Sequence, residues 1–159
     1  MLMGRGHVER KPGHLAPFLL YPDGMSAPLI EAFMTRSPHT IGDEQTLATA
    51  RHSMRESNIR HLPVLAGGKL VGILSDRDLD SIETLRDVDP KTLSVAQAMS
   101  QSVFSVSPQT PVRQVVREMI ENKYGSAVIQ DHGHVVGVFT TIDALHVLLD
   151  VLDEKSEKA

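Results

Sequence analysis

The chain has 159 residues, a formal net charge of −4, 41% apolar and only 4% aromatic residues, and no cysteine. That composition excludes disulfide frameworks, thiolate catalysis and cysteine-held metals, and it speaks against a general nucleic-acid footprint. No apolar run approaches a membrane span, so the expectation is an aliphatic-cored cytoplasmic protein of one or two small domains, with neither a membrane nor a nucleic acid as partner.

Residues 1–28 hold Gly4, Gly6, Pro12, Gly13, Pro17, Pro22, Gly24 and Pro28. So many breakers argue against regular structure and predict a flexible N-terminal arm. Phe18, Leu19, Leu20 and Tyr21 give it the means to pin to an apolar surface. A short helical turn, Leu29–Met34, comes next, then an extended stretch over His39–Ile41. Leu47, Ala50 and Met54 share one face of a helix. Two apolar runs, Leu62–Leu65 and Leu70–Leu74, flank Gly67-Gly68 and read as a hairpin. Pro63 is expected at the start or edge of its strand. A helix near Asp76–Val88 ends before Pro90.

The order then recurs. Val95–Met99 is a helical turn and Val103–Val106 is extended. Thr110 is the expected N-cap of a helix with Pro111 at its first position. Val112, Val115, Val116, Met119 and Ile120 form its apolar stripe. Ala127–Ile129 and Val135–Phe139 flank the turn Asp131-His132-Gly133. Ile142, Leu145, Leu148, Leu149 and Leu152 give a last amphipathic helix, which fades into a charged tail.

The recurrence is a sequence repeat. An offset of 65 residues superposes Met34 on Met99, Ser37 on Ser102, Met54 on Met119, Glu56 on Glu121, Gly68 on Gly133, Val71 on Val136, Gly72 on Gly137 and Asp78 on Asp143. Those are eight identities over Met34–Asp80, against roughly three at average residue usage. A duplicated unit places function at paired sites rather than at one catalytic centre. The expected division is arm 1–28, first repeat 29–88, linker 89–94, second repeat 95–152 and tail 153–159.

The motif with most chemical content is Gly72-Ile73-Leu74-Ser75-Asp76-Arg77-Asp78, echoed by Gly137-Val138-Phe139-Thr140-Thr141-Ile142-Asp143. Each runs from a strand into a helix. The hydroxyl and the carboxylate three residues on suit a capping box. The same parts suit a nucleoside phosphate. The helix N-terminus and hydroxyl would hold the phosphate, the carboxylate would accept from ribose hydroxyls, and the glycine would admit a flat ring.

With Met34-Thr35, the run Ile59-Arg60-His61-Leu62-Pro63-Val64 and the Gly67-Gly68 turn, the pattern resembles the CBS domain, named for cystathionine beta-synthase. Two in tandem resemble a CBS pair, or Bateman module. The resemblance covers about residues 29–152. It implies an α+β fold of two β-α-β-β-α repeats, packed through their sheets about a pseudo-two-fold axis. It also implies two crosswise clefts for adenosine nucleotides (AMP, ADP, ATP or S-adenosylmethionine), which would be regulatory ligands rather than required cofactors. In one cleft Asp143 would hold the ribose and Thr140 a phosphate, with Val138, Thr40 and Ile59 around the base. In the other, Asp78 and Ser75 would act with Ile73, Ser105 and Tyr124. Arg60 and His61 would lie near the phosphates. Repeat 2 departs from the family pattern, with Gly125-Ser126 for the basic pair and Val128 for proline, which implies unequal clefts.

The resulting expectation is a non-catalytic sensor, a homodimer acting in trans on an unidentified effector. The alternative is a ligand-free dimerisation or protein-interaction module, with the apolar faces of Val112–Ile120 and Ile142–Leu152 as its contacts. No HExxH, P-loop, dinucleotide fingerprint or G-x-S-x-G elbow supports an enzyme. Eight histidines without shared spacing do not make a metal site.

Overall fold

A computed structural model describes residues 27–85 and 88–157. The N-terminal arm lies outside the described residues except for Ala27 and Pro28. The elements are β1 (Thr35–Arg36), β2 (Ile41–Gly42), α1 (Leu47–Ser57), β3 (His61–Ala66), β4 (Lys69–Ser75), α2 (Asp76–Glu83), β5 (Ser105–Val106), α3 (Val112–Asn122), β6 (Ser126–Asp131), β7 (His134–Thr140) and α4 (Thr141–Glu157). Short 3-10 turns, Ile30–Ala32 and Val95–Gln97, precede the repeats.

Two hairpins, β3–β4 and β6–β7, form the frame. Each turns on two residues of positive φ, Gly67-Gly68 and His132-Gly133, the geometry that suits a tight hairpin between right-twisted strands. β2 joins β3 in parallel and β5 joins β6 in parallel. Each sheet is covered by its two helices. One core holds Leu47, Ala50 and Met54 of α1, Leu62 and Val64 of β3, and Leu74 of β4. The other holds Val112, Val115, Met119, Ala127, Ile129 and Phe139 at the matching positions. The paired leucines Leu62 and Leu74 are replaced by the pair Ala127 and Phe139, so a small residue offsets a large one directly across the ladder, a swap that cores tolerate.

The segments leading into the repeats are exchanged. Ile30, fully buried, belongs to the second core, with Phe33 and Met34 packed beside it. Its N–H donates to the Thr110 carbonyl at 2.8 Å, and β1 pairs antiparallel with β7. Val95, equally buried, closes the first core with Ala98 and Met99 beside it. Its N–H donates to the Gln45 carbonyl at 2.7 Å, and Ser100 bridges Ile73 of β4. Each repeat as read along the sequence is therefore completed by the leader of the other. β4 and β7 approach one another where the two sheets meet.

Several expectations are corrected. Pro63 lies third in β3, the central strand of its sheet. β2 pairs only at Val64 and Leu65, so at Pro63 the strand has one neighbour, the edge-like setting that proline tolerates. Thr110 does not cap α3. Pro111 occupies the N-cap position, and the Thr110 hydroxyl pairs with Ser107 at 3.2 Å. In the first repeat Thr46 does cap, accepting from the Thr49 N–H. Helix α2 stops at Glu83 rather than near Val88. The apolar stripe read on α4 faces outward: Ile142, Leu145, Leu148, Leu149 and Leu152 are all exposed, while Ala144 packs inward.

Gly72 and Gly137 owe their identity to the exchanged leaders. A Cβ on Gly72 would overlap the Met99 sulfur and come within 2.9 Å of its Cγ and 3.0 Å of the Ser100 carbonyl oxygen. A Cβ on Gly137 would overlap the Met34 sulfur and meet its Cγ at 2.9 Å. Gly72→Ala should destabilise the fold by about 1–3 kcal/mol through overpacking. Gly137→Ala should cost less, because the closest overlaps are with the flexible end of Met34 and its Cβ, at 3.2 Å, has only to give slightly, whereas Gly72 also meets a backbone oxygen. Urea unfolding of both, with Met34→Ala added to Gly137→Ala to relieve the overlap, checks this ordering.

Candidate functional site

The two Gly-to-Asp motifs fold identically. Ser75 is the N-cap of α2, and its hydroxyl accepts from the Asp78 N–H at 3.2 Å. Asp78 reaches back: its Oδ2 accepts from the Ser75 N–H at 2.8 Å and from the Ser75 hydroxyl at 2.6 Å. Thr140 and Asp143 repeat the pattern, with Oδ2 accepting from N–H and hydroxyl, both at 2.8 Å, and the Asp143 N–H donating to Oγ1 at 3.4 Å. Both are capping boxes. In each, the bonds to the Ser or Thr use Oδ2.

Each motif is tied to the start of its neighbouring strand. The Asp76 N–H donates to the Arg60 carbonyl at 3.0 Å, and the Thr141 N–H to the Gly125 carbonyl at 3.2 Å. His61 sits opposite Ser75 across the β3–β4 ladder. Its ring also reaches the other repeat, since a Cβ on Gly125 would lie 3.1 Å from His61 Nε2. The absence of a side chain at Gly125 is what admits the imidazole. His61 thus spans from the first cap to the strand end that carries the second. The contrast between Arg60-His61 and Gly125-Ser126 is visible in the sequence as a departure of repeat 2; its steric meaning is not.

The remaining predicted residues divide unevenly. Around the first cap, Ser75, Asp78 and Ile73 are half-buried, Ser105 is exposed, and Tyr124 stacks on Phe104 at 5.2 Å between ring centroids. Around the second, Asp143 is 5% exposed and Val138 7%. Ile59 packs against the first core and Thr40 is exposed. Asp143 and Val138 are thus buried where Asp78 and Ile73 are half-buried, while Thr140, like Ser75, is half-buried. Ile73 and Val138 both pair with the incoming leaders, Ser100 and Thr35 respectively. The motif glycines beside them are covered by methionine, so they are not open for a ring.

Charge gathers at the first cap. Burial holds the His61 imidazole below its usual range; Asp76 and Asp78 oppose that shift, and Arg60 and Arg77 reinforce it. Arg60 and Arg77 are exposed. Among the described residues no group of three His, Asp or Glu side chains is placed to hold a metal. Among the described residues no helix is long and apolar enough to cross a membrane.

The CBS domain profile matches residues 30–82 and 95–150. The chain belongs to the CBS domain family. A CBS domain-containing protein of Dictyostelium discoideum is 30% identical over 141 residues, covering 79% of this chain and 94% of its own length. Among solved structures, the CBS domain pair of protein MJ0100, in complex with 5′-methylthioadenosine and S-adenosyl-L-methionine, superposes with a TM-score of 0.70 at 22% identity, covering 77% of this chain and 96% of that one. CBSX2 in complex with AMP gives 0.67 at 24% identity, covering 77% and 97%. These likenesses agree with the two-repeat α+β architecture read from the sequence.

The depressed His61 pKa has a direct consequence for this CBS pair. An unfolded histidine titrates near 6.5, and the folded one takes its proton only at lower pH. Between those values the unfolded chain binds more protons, so this contribution to stability is complete above about pH 6.5 and is lost as pH falls toward the folded value. His61→Gln should flatten that loss. Urea midpoints at about pH 7.5 and 5.5, compared between parent and variant, isolate the effect from the other histidines.

Proposed function

We propose that this CBS pair is a non-catalytic regulatory module that binds an adenosine nucleotide between its repeats and signals in trans to a partner protein. The observation that carries this reading is the pair of capping boxes, one per repeat, joined by His61 at the junction of the sheets. A helix N-terminus offers N–H groups and partial positive charge to a phosphate; Arg60 and Arg77 add charge at the first cap, and the His61 imidazole adds a ring N–H. Asp78 would accept from the ribose hydroxyls. The adenosine ligands in the MJ0100 and CBSX2 structures support the ligand class.

The first cap is the better candidate for occupancy, because Ser75 and Asp78 retain exposed surface where Asp143 is 5% exposed. The carboxylates at the caps are engaged in capping, each accepting from the backbone N–H and the hydroxyl of its N-cap residue. A ligand there would act by preferring one packing of the repeats over another, and could shift that equilibrium only by its difference in affinity. A second reading, assembly with another copy of the chain, is favoured by the exposed apolar stripe of α4.

Calorimetric titration with AMP, ATP and S-adenosylmethionine tests the proposal. Binding should be lost at least tenfold in Asp78→Ala and less in Asp143→Ala. The cap lost in Asp78→Ala costs about 1 kcal/mol, so folding is checked by circular dichroism. His61→Gln should weaken AMP and ATP and spare S-adenosylmethionine, which has no phosphate. No heat with any of the three up to millimolar concentration overturns the nucleotide reading.

A further inference from the structure

The two repeats agree inside and disagree on their helical faces. In repeat 1, Arg51 of α1 pairs with Asp80 at 2.7 Å and Glu83 at 3.0 Å on α2. An offset of 65 residues carries Arg51, Asp80 and Glu83 onto Val116, Leu145 and Leu148. One helix pair is closed by an ion triad, and the other shows an apolar face. Leu145, Leu148, Leu149 and Leu152 are each more than half exposed, and Ile120 of α3 is 71% exposed. Two depressions of about 290 and 200 Å³ run along this face, meeting at Val116. The start of the described chain lies at one end of it. The Val112 N–H, first in α3, donates to the Pro28 carbonyl at 2.9 Å, and Leu29 bridges Pro111. Repeat 1 shows the course of a segment held in this way. There the Leu47 N–H donates to the Leu93 carbonyl at 3.0 Å, Ser94 bridges Thr46, and the Ala48 N–H donates to the Pro90 carbonyl at 3.0 Å. The linker thus passes from the end of α2 across the head of α1. The same offset carries Pro28, Leu29 and Thr46 onto Leu93, Ser94 and Pro111, so the two sets of contacts are sisters.

We propose that the apolar face of α3 and α4 is a docking surface for the chain's own segment Phe18–Tyr21, which crosses it as an intramolecular strap. The proposal is independent of nucleotide binding, and it sets on the α4 stripe an occupant other than the second copy considered above. By the sister contacts, chain arriving at Pro28 comes over the head of α3 from the side of α4, as the linker comes over α1 from α2. The tether is long enough. Tyr21 is seven residues before Pro28, a reach of up to about 23 Å, while Val112 to Ile120 along α3 is about 12 Å. The composition of the segment fits the face. The chain has four Phe, two Tyr and no Trp. Phe33, Phe104, Tyr124 and Phe139 all serve the second core, and the remaining two aromatics, Phe18 and Tyr21, flank Leu19-Leu20. Pro17 and Pro22 bracket the four and favour an extended course, the shape that a shallow groove between helices accepts. Area also favours a tethered occupant. Helix α4, at 17 residues, is about 25 Å long, and with α3 the face is on the order of 500 Å². Two copies joined by it alone would bury about 1,000 Å², at the low end for a specific pair. A tethered segment meets the same face at an effective concentration of roughly millimolar.

The chain has no cysteine, so Ala16→Cys supplies a single thiol for a nitroxide label and leaves the four apolar residues intact. In magnetic resonance spectra of the labelled full chain, amides of α4 over Leu145–Leu152 should lose most of their intensity until the nitroxide is reduced, while those of α2 keep theirs. Adding Phe18→Ser, Leu19→Ser, Leu20→Ser and Tyr21→Ser should restore the α4 signals with an unchanged circular dichroism spectrum. In an equal mixture of labelled chain and isotope-enriched chain without the label, the α4 amides of the enriched chain should stay sharp. Amides of α4 that never broaden, or broaden no more than those of α2, overturn the docking. Broadening that survives the four serine changes overturns the role of Phe18–Tyr21, since the tether alone would then account for it. Broadening of the enriched chain in the mixture overturns the intramolecular course and hands the face to the arm of another copy.

Discussion

The exchange of leaders is the constraint on which the rest of the molecule depends. Ile30 and Val95 are fully buried, each in the core of the unit that its own repeat does not build. A repeat cut out by sequence similarity alone would lack a core residue and a sheet neighbour. The exchange also explains why the motif begins with glycine. Met34 lies on Gly137 and Met99 on Gly72, three residues before Thr140 and Ser75. The side chain that ties the units together therefore rests on the strand that delivers each cap. Position of leader and position of cap are set by one contact.

Much of this was legible from residue order, and the limits have physical causes. Helices and hairpins could be read because apolar periodicity and turn chemistry are local. The capping boxes could be read because Ser75-x-x-Asp78 and Thr140-x-x-Asp143 carry their own geometry. The exchange could not, because a two-residue strand such as Thr35–Arg36 has no period and its partner Gly137-Val138 lies about a hundred residues away. The glycines admitted two explanations, ring access or close packing, and only the position of the methionines decides for packing. The stripe of α4 was legible as an apolar face, but such a face does not name what covers it. Pro63 misled because edge strands are not the only place where a strand lacks a neighbour.

Duplication left two kinds of position. Those facing the cores have stayed apolar, and at Leu62 with Leu74 against Ala127 with Phe139 the change is a compensating one across the ladder. Those facing outward were free to diverge and did so coherently, from the Arg51 ion triad to Val116, Leu145 and Leu148. Isolated exposed leucines mean little. A whole face changed together relative to its own duplicate carries more information, since the sister repeat shows that the fold does not require it.

The same divergence bears on whether the two clefts act separately. Had repeat 2 kept a basic pair, side chains from both strand starts would compete for the space at the pseudo-dyad. Gly125 resolves the competition in favour of His61. Half-buried and held toward its neutral form, His61 adds little fixed charge near neutral pH, but its ring responds to any charge placed beside it. A phosphate at the Ser75 cap would favour its protonation, and the proton would then lie against the strand end that receives the Thr141 N–H. A pair of identical basic residues would have given two similar wells. One histidine and one glycine make the surroundings of the two caps unlike.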